Sequence, residues 1–303
     1  NTITLHGVRL SELSALHFHI LNPTTNLIQG SSDSDTNDFL TSTDEDDRIE
    51  GSTDPFGRFG DGNDYFFLLD DSNDVVIGGP SDIAASSAVV LGFAETYFTD
   101  KFFLDLRGEK EIIGFSSSNA YNFNSYNGNS LDLIFIDSTG LNIDSASDLT
   151  QYLSDDDDGF AVIEIPGRGK LEIHGVSSSE LLKENFIIHE KISNYLIGSY
   201  ENDTLIGTDG NDYIDGYSEY QFLGAYECGL FSGNDRINGG KGNDVLVGGI
   251  SQHPSGGYYR DLFIFNADSG QDIIVDFTTH PSQPNEIKDG RYNDIIQTII
   301  NVN

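Results

Sequence analysis

Four nine-residue stretches in the second half of the chain place an aspartate at position six and an apolar residue two positions later. They are Gly198-Ser-Tyr-Glu-Asn-Asp-Thr-Leu-Ile206, Gly207-Thr-Asp-Gly-Asn-Asp-Tyr-Ile-Asp215, Leu230-Phe-Ser-Gly-Asn-Asp-Arg-Ile-Asn238 and Gly239-Gly-Lys-Gly-Asn-Asp-Val-Leu-Val247. Their sixth-position residues are Asp203, Asp212, Asp235 and Asp244, at steps of 9, 23 and 9. The long step marks an insertion between Gly216 and Leu230 that contains Cys228. The first half repeats the pattern in degraded form, with Asp38, Asp47, Asp64 and Asp74 at the equivalent places.

A period of nine restricts the fold severely. Gly and Asn accept backbone angles that other residues resist, so the first six residues make a tight turn. The last three make a short strand whose middle side chain alone points inward. Those inward residues are Leu205, Ile214, Ile237 and Leu246, all apolar. Stacked turns then bury a thin aliphatic core and pile carboxylates and bare carbonyls along the edges. A hard divalent cation that takes six or more oxygens relieves the repulsion, and calcium suits this better than magnesium, which keeps its waters. Folding is then expected to depend on calcium, because the site does not exist in the unfolded chain.

A longer repeat contains the short one. Ile3–Ile20 (ITLHGVRLSELSALHFHI) and Leu171–Ile188 (LEIHGVSSSELLKENFII) lie 168 residues apart and share eight of 18 positions. Phe98–Phe115 matches Tyr259–Phe277 with one gap. The expected organisation is the end of one unit (1–21), a degenerate roll (22–80), a β-rich intervening domain (81–190), a second roll (191–250) and the start of the next β-rich domain (251–303). A chain that begins and ends inside a unit is expected to be a segment of a longer protein.

GTDGNDYID and GGKGNDVLV resemble the calcium-binding nonapeptides of the repeats-in-toxin (RTX, hemolysin-type) family. The resemblance implies a right-handed parallel β-roll in which turn carbonyls and sixth-position aspartates of adjacent turns hold each ion. Carried onto this sequence, that role falls to Asp203, Asp212, Asp235 and Asp244 and to the turn residues Gly207, Asp209, Gly210, Gly240 and Gly242. In the first block it falls to Asp38, Asp47, Asp64 and Asp74. There Ser, Thr or Glu replaces most turn glycines and Phe56-Gly-Arg58 interrupts the pattern, so fewer or weaker ions are expected. The family also implies export by a one-step type I system.

Composition excludes several other classes. Fifty Asp plus Glu against 15 Lys plus Arg give a formal charge of −35, which makes nucleic acid a poor partner and disfavours anionic membranes. No apolar run is long enough for a spanning helix. One cysteine cannot form an intrachain disulfide. No zinc-protease motif, nucleophile elbow or thiolate-stabilising neighbour of Cys228 is present, so the segment is expected to be non-enzymatic. Asp155–Asp158 suits a solvated loop, and Glu164–Gly169 a hairpin rather than a phosphate loop. His6 and His174 suit strand-end structural positions, and His17 and His19 surface or interface positions.

The expected fold is all-β: calcium-binding parallel β-roll blocks alternating with β-sandwich-like segments, in tandem units of about 168 residues. Short helices are expected at Ser11–Leu16, around Ala146–Leu153 and at Ser178–Glu184. The leading functional expectation is a secreted, extracellular structural repeat protein, such as a surface-layer, adhesin, matrix or filament component. Its partners would be calcium ions and neighbouring units or further copies, with extracellular polysaccharide as another. Two rivals stand beside it. One is the noncatalytic C-terminal part of a secreted enzyme such as a protease, lipase or polysaccharide-modifying enzyme. The other is a carbohydrate-binding module using Tyr217, Tyr220, Tyr258 or Tyr259.

Overall fold

A computed structural model describes residues 26–31, 37–51, 64–78, 100–115, 117, 132–224, 227–249, 259–277 and 294–299. The first twelve strands are β1 (Asn26–Gln29), β2 (Phe39–Thr41), β3 (Asp47–Glu50), β4 (Tyr65–Leu68), β5 (Asp74–Ile77), β6 (Lys101–Leu104), β7 (Gly108–Ile113), β8 (Leu133–Asp137), β9 (Leu153–Asp155), β10 (Ala161–Glu164), β11 (Gly169–His174) and β12 (Phe186–His189). Up to β8 they alternate between two sheets. Sheet A runs β1-β3-β5-β7-β11-β10-β9 and sheet B runs β12-β8-β6-β4-β2. Pairing is parallel throughout sheet B and from β1 to β11 in sheet A. Each coil therefore contributes one strand to each sheet, as a parallel β-roll requires.

Antiparallel pairing in sheet A is confined to β9-β10-β11. The β10–β11 connection is the hairpin expected at 164–169, with Gly167 at positive φ. The expected boundary at Pro80 lies outside the described residues, but both sheets continue across it, since β4 pairs with β6 and β5 with β7. The expected helices at 146–153 and 178–184 are short 3-10 segments, two turns at Ala146–Gln151 and one at Lys183–Asn185. The helix expected at 11–16 lies outside the described residues, as do His6, His17 and His19.

The second roll repeats the plan with β13 (Asn194–Ile197), β14 (Thr204–Ile206), β15 (Asp212–Asp215), β16 (Ser218–Gly224), β17 (Glu227–Ser232), β18 (Arg236–Asn238), β19 (Val245–Val247), β20 (Leu262–Asn266), β21 (Ile273–Ile274) and β22 (Ile295–Ile299). Sheet C is β13-β15-β19-β21 and sheet D is β14-β18-β20-β22, all parallel. The insertion between Gly216 and Leu230 is an antiparallel hairpin, β16–β17, with Cys228 opposite Phe222. The inward residues expected from the period, Leu205, Ile214, Ile237 and Leu246, form one buried cluster with Phe263.

Strand parity explains how the rolls join. On β4, β6 and β8 the residues Phe66, Leu68, Phe102, Leu104, Ile134 and Ile136 fill the core between sheets A and B. Their alternates Tyr65, Phe103 and Phe135 are equally buried, but against Tyr213, Val245 and Val247 of sheet C. Sheet B is thus covered on both faces, which is why its strands read as unbroken apolar runs. Phe67, Phe103 and Phe135 stack at 4.9 and 4.5 Å between centroids. Tyr213 meets Phe103 and Phe135 edge-on at 5.0 and 5.4 Å. Such pairs add about 0.5–1.5 kcal/mol each beyond the area buried.

One charged pair lies in this apolar layer. Lys101 Nζ is 2.5 Å from Asp215 Oδ2, and Asp215 is 1% exposed. The Tyr65 and Tyr213 hydroxyls donate to the same oxygen at 3.0 and 2.7 Å, and the Tyr217 amide donates to Oδ1 at 2.9 Å. Burial pushes the Asp215 carboxyl up, but the Lys101 charge and these hydrogen bonds outweigh it and hold it below the usual range.

Candidate metal centre

Each six-residue turn ends on its aspartate, whose amide starts the next strand. That amide has no partner in its own turn and needs one from outside. The neighbouring coil supplies it as a carboxylate oxygen. In sheet B the Asp38, Asp64 and Asp100 amides donate to Oδ1 of Asp64, Asp100 and Asp132. In sheet A the Asp47 amide donates to Asp74. In sheet D the series is Asp203, Asp235, Asp261 and Asp294, and in sheet C it is Asp212, Asp244 and Asp272. All eight sixth-position aspartates expected from the sequence therefore lie on four ladders.

The ladders also contain Asp100, Asp132, Asp261, Asp272 and Asp294, which the period of nine does not mark. Asp132, Asp261, Asp272 and Asp294 directly precede an apolar run and Asp100 precedes one after Lys101; Asp100 and Asp261 occupy matched places in the 98–115 and 259–277 pair. A second ladder runs beside the first with opposite polarity. The amides of Asn234, Asn243, Arg260 and Gln271 donate to Oδ1 of Asn202, Asn211, Asn234 and Asn243 at 2.7–2.9 Å. The Asn-Asp dipeptide in every clear copy was the available signal for it. Replacing Asn243 by alanine leaves the Gln271 amide without its acceptor and should cost about 1 kcal/mol, measurable as a lower urea midpoint.

The second carboxylate oxygen faces the inside of the turn. In Asp203 and Asp212 it accepts the amides of Ser199 and Thr208. In Asp235 and Asp244 the Oδ2 atom is buried with no hydrogen-bond partner. The glycine beginning each turn makes room for it: a Cβ on Gly216 would overlap Asp235 Oδ2, and one on Gly239 would overlap Asp244 Oδ2. Gly207 is pressed between Asp212 and the Gly239 carbonyl. Gly240 and Gly242 hold φ of 100° and 111° and lie against the Thr208 and Gly210 carbonyls of the preceding coil, and Gly210 lies against the Ser193 hydroxyl. Asp209 points outward and pairs with Lys241 at 2.8 Å. Among the described residues no group of three or more His, Cys, Asp or Glu converges on one point. The donors are instead single carboxylate oxygens beside main-chain carbonyls, an all-oxygen set that fits a hard cation of calcium type.

Electrostatics agree with the geometry. Asp235 and Asp244 are pushed up to about 7 and Asp261 to about 9. Burial is the main cause in each. The amide of the preceding coil opposes it and the adjacent rung's charge reinforces it. Since these folded-state values lie above those of the unfolded chain, the stability they confer is complete below about pH 4 and is lost as pH rises through about 7–9. In chelator, the melting temperature should therefore fall between about pH 4 and 9. Saturating calcium should flatten that slope, because the ion takes the carboxylates deprotonated.

The profile of the RTX calcium-binding nonapeptide repeat matches residues 193–218 and 231–251, in four copies. The chain carries RTX calcium-binding nonapeptide repeats. These two stretches hold the clearest rungs of sheets C and D. The β16–β17 hairpin falls almost wholly in the gap between them. A comparison with curated proteins finds no match.

Asp155–Asp158 forms the exposed β9–β10 turn, with Asp156 accepting the Asp158 and Phe160 amides. His174 ends β11 and pairs with Glu172 at 3.1 Å and Glu111 at 3.5 Å, carboxylates that its sequence position had not pointed to. Tyr259 is buried rather than open for stacking on a sugar, because the chain enters β20 there. Tyr258 and the Tyr220 side chain lie outside the described residues. No helix among the described residues is long and apolar enough to cross a membrane.

Proposed function

We propose that this chain is a calcium-stabilised structural segment of a secreted bacterial protein, in which ion binding completes the second roll and holds the aspartate ladders rigid. RTX repeat proteins are typically secreted by bacteria, and calcium is the ion that such repeats take. The observation that carries the proposal is the pair of buried, partnerless Oδ2 atoms of Asp235 and Asp244 beside glycines that cannot carry a Cβ. An array role fits the strands that end each sheet among the described residues, β1 and β2 in sheets A and B and β13 and β14 in sheets C and D. On this proposal the segment works by shape and stiffness at a cell surface or in a matrix. It takes no part in catalysis.

The test is a calcium titration of chelated protein, followed by far-UV circular dichroism and tyrosine fluorescence. A site held at 100 times its Kd adds about 2.7 kcal/mol, so several sites should raise the melting temperature by many degrees. A β signal and melting curve indifferent to millimolar calcium would rule the proposal out. Light scattering with and without calcium tests the array. Unchanged monomers in both conditions would remove that part.

A further inference from the structure

The two rolls are built alike at one particular turn. Thr43 and Thr208 donate their amides to Oδ2 of Asp47 and Asp212. One coil on, Asp74 and Asp244 accept the Asp47 and Asp212 amides. Asn73 and Asn243 accept the amides of Glu109 and Gln271 at 2.9 Å. Gly108 and Gly270, both at positive φ, press on the carbonyls of Ser72 and Gly242. The next rung breaks the likeness. The second roll has Asp272 there, and the first has Lys110, in register with Asp74.

The Lys110 side chain is fully buried. Its ammonium lies 2.7 Å from Asp74 Oδ2, 2.6 Å from the Ser72 carbonyl and 3.1 Å from Asp70 Oδ1. That is one main-chain carbonyl and two carboxylates, the donor chemistry of a turn that holds an ion. Asp74 Oδ2 is satisfied, whereas Asp244 Oδ2 is left without a partner. Asp70 also accepts hydrogen bonds from the Ser42 and Ser72 hydroxyls. Arg107, three residues before Lys110, pairs with Asp105 and Asp71 on the rim of the same turn.

We infer that Lys110 is a tethered cation standing in for calcium at the Asp70–Asp74 turn, so that the first roll is closed there without an ion. The covalent tether supplies the charge at every calcium concentration. That turn of the first roll is then independent of calcium, and the matching turn of the second roll, with Asp272 in place of the lysine, is the one that responds to the ion. This division rests on the calcium-binding role proposed above for the second roll.

The experiment counts calcium on the full chain by native mass spectrometry after chelation and re-addition of calcium chloride alone. It compares wild type with Lys110→Asp and Lys110→Ser. Each variant should bind one more calcium per chain than wild type. Each should also melt lower than wild type in chelator and return towards wild-type melting at saturating calcium. Folded variants with the wild-type count would overturn the inference. So would variants that stay unfolded at millimolar calcium, because an ion able to take the lysine's place would restore the turn. A wild type that binds no calcium would instead overturn the role proposed for the second roll, so the two failures are distinguishable.

Discussion

Lys101→Met is expected to destabilise the folded chain by about 3–5 kcal/mol, because it leaves the Asp215 carboxylate buried between sheets B and C with no cation. The contribution of the Asp215 carboxyl to the pH dependence should invert as well. In the wild type the Asp215 carboxyl lies below its ordinary value. The stability it contributes is therefore present above about pH 4 and is lost as pH falls through the folded value. With the ammonium gone, burial dominates and raises that carboxyl. At saturating calcium, where the ladder aspartates no longer set the slope, the variant should then be more stable at about pH 5 than at pH 8, the reverse of this contribution in the wild type. Lys101→Met/Asp215→Asn should recover much of the loss, since removing both charges costs less than stranding one. The chain has no tryptophan, so fluorescence from Tyr65, Tyr195 and Tyr213 reports this layer. Strictly additive single-variant losses with no change in pH profile would show that the pair does not couple the rolls.

Gly239→Ala is expected to combine a stability loss with weaker calcium binding. A Cβ at this position would overlap Asp244 Oδ2 and lie 2.7 Å from its Cγ and 2.9 Å from its Cβ. Real Cβ atoms do not approach so closely, so either the turn opens or the carboxylate swings away. Overpacking of this kind costs about 1–3 kcal/mol. If the bound state bears the strain, each 1.4 kcal/mol raises the half-saturating calcium concentration about tenfold. Gly159→Ala is the control. It lies in the exposed β9–β10 turn at φ 86° with no atom within 4 Å of the added Cβ. It should lower stability equally with and without calcium, through backbone strain alone. Equal calcium midpoints for Gly239→Ala and wild type would place Asp244 outside the ion site.

Which parts of this architecture were legible is a matter of range. The six-residue turn, the three-residue strand and the inward Leu205, Ile214, Ile237 and Leu246 follow from nine consecutive residues, and the structure has them as expected. The ladders were harder to see. Consecutive rungs on sheet B lie 26, 36 and 32 residues apart, because insertions separate the coils, so no period marks Asp100 or Asp132. The degraded first block was visible as lost glycines. What replaced the ion was not, since Lys110 lies 36 residues beyond Asp74 and meets it only through the β5–β7 register.

The sequence by itself determined the repeating unit, its all-β character, the sixth-position carboxylates and their kinship with calcium-binding nonapeptides. Each of these depends on backbone freedom, side-chain alternation or charge within a few residues. Only the tertiary structure decided that sheets B and C share an aromatic layer, that Lys101 and Asp215 meet inside it 114 residues apart, and that one turn carries its own cation. An outward-facing aromatic or a lone lysine has the same local pattern whether it meets solvent or a second sheet. Its partner is fixed by how the coils stack, and stacking sums over insertions that a local period does not encode.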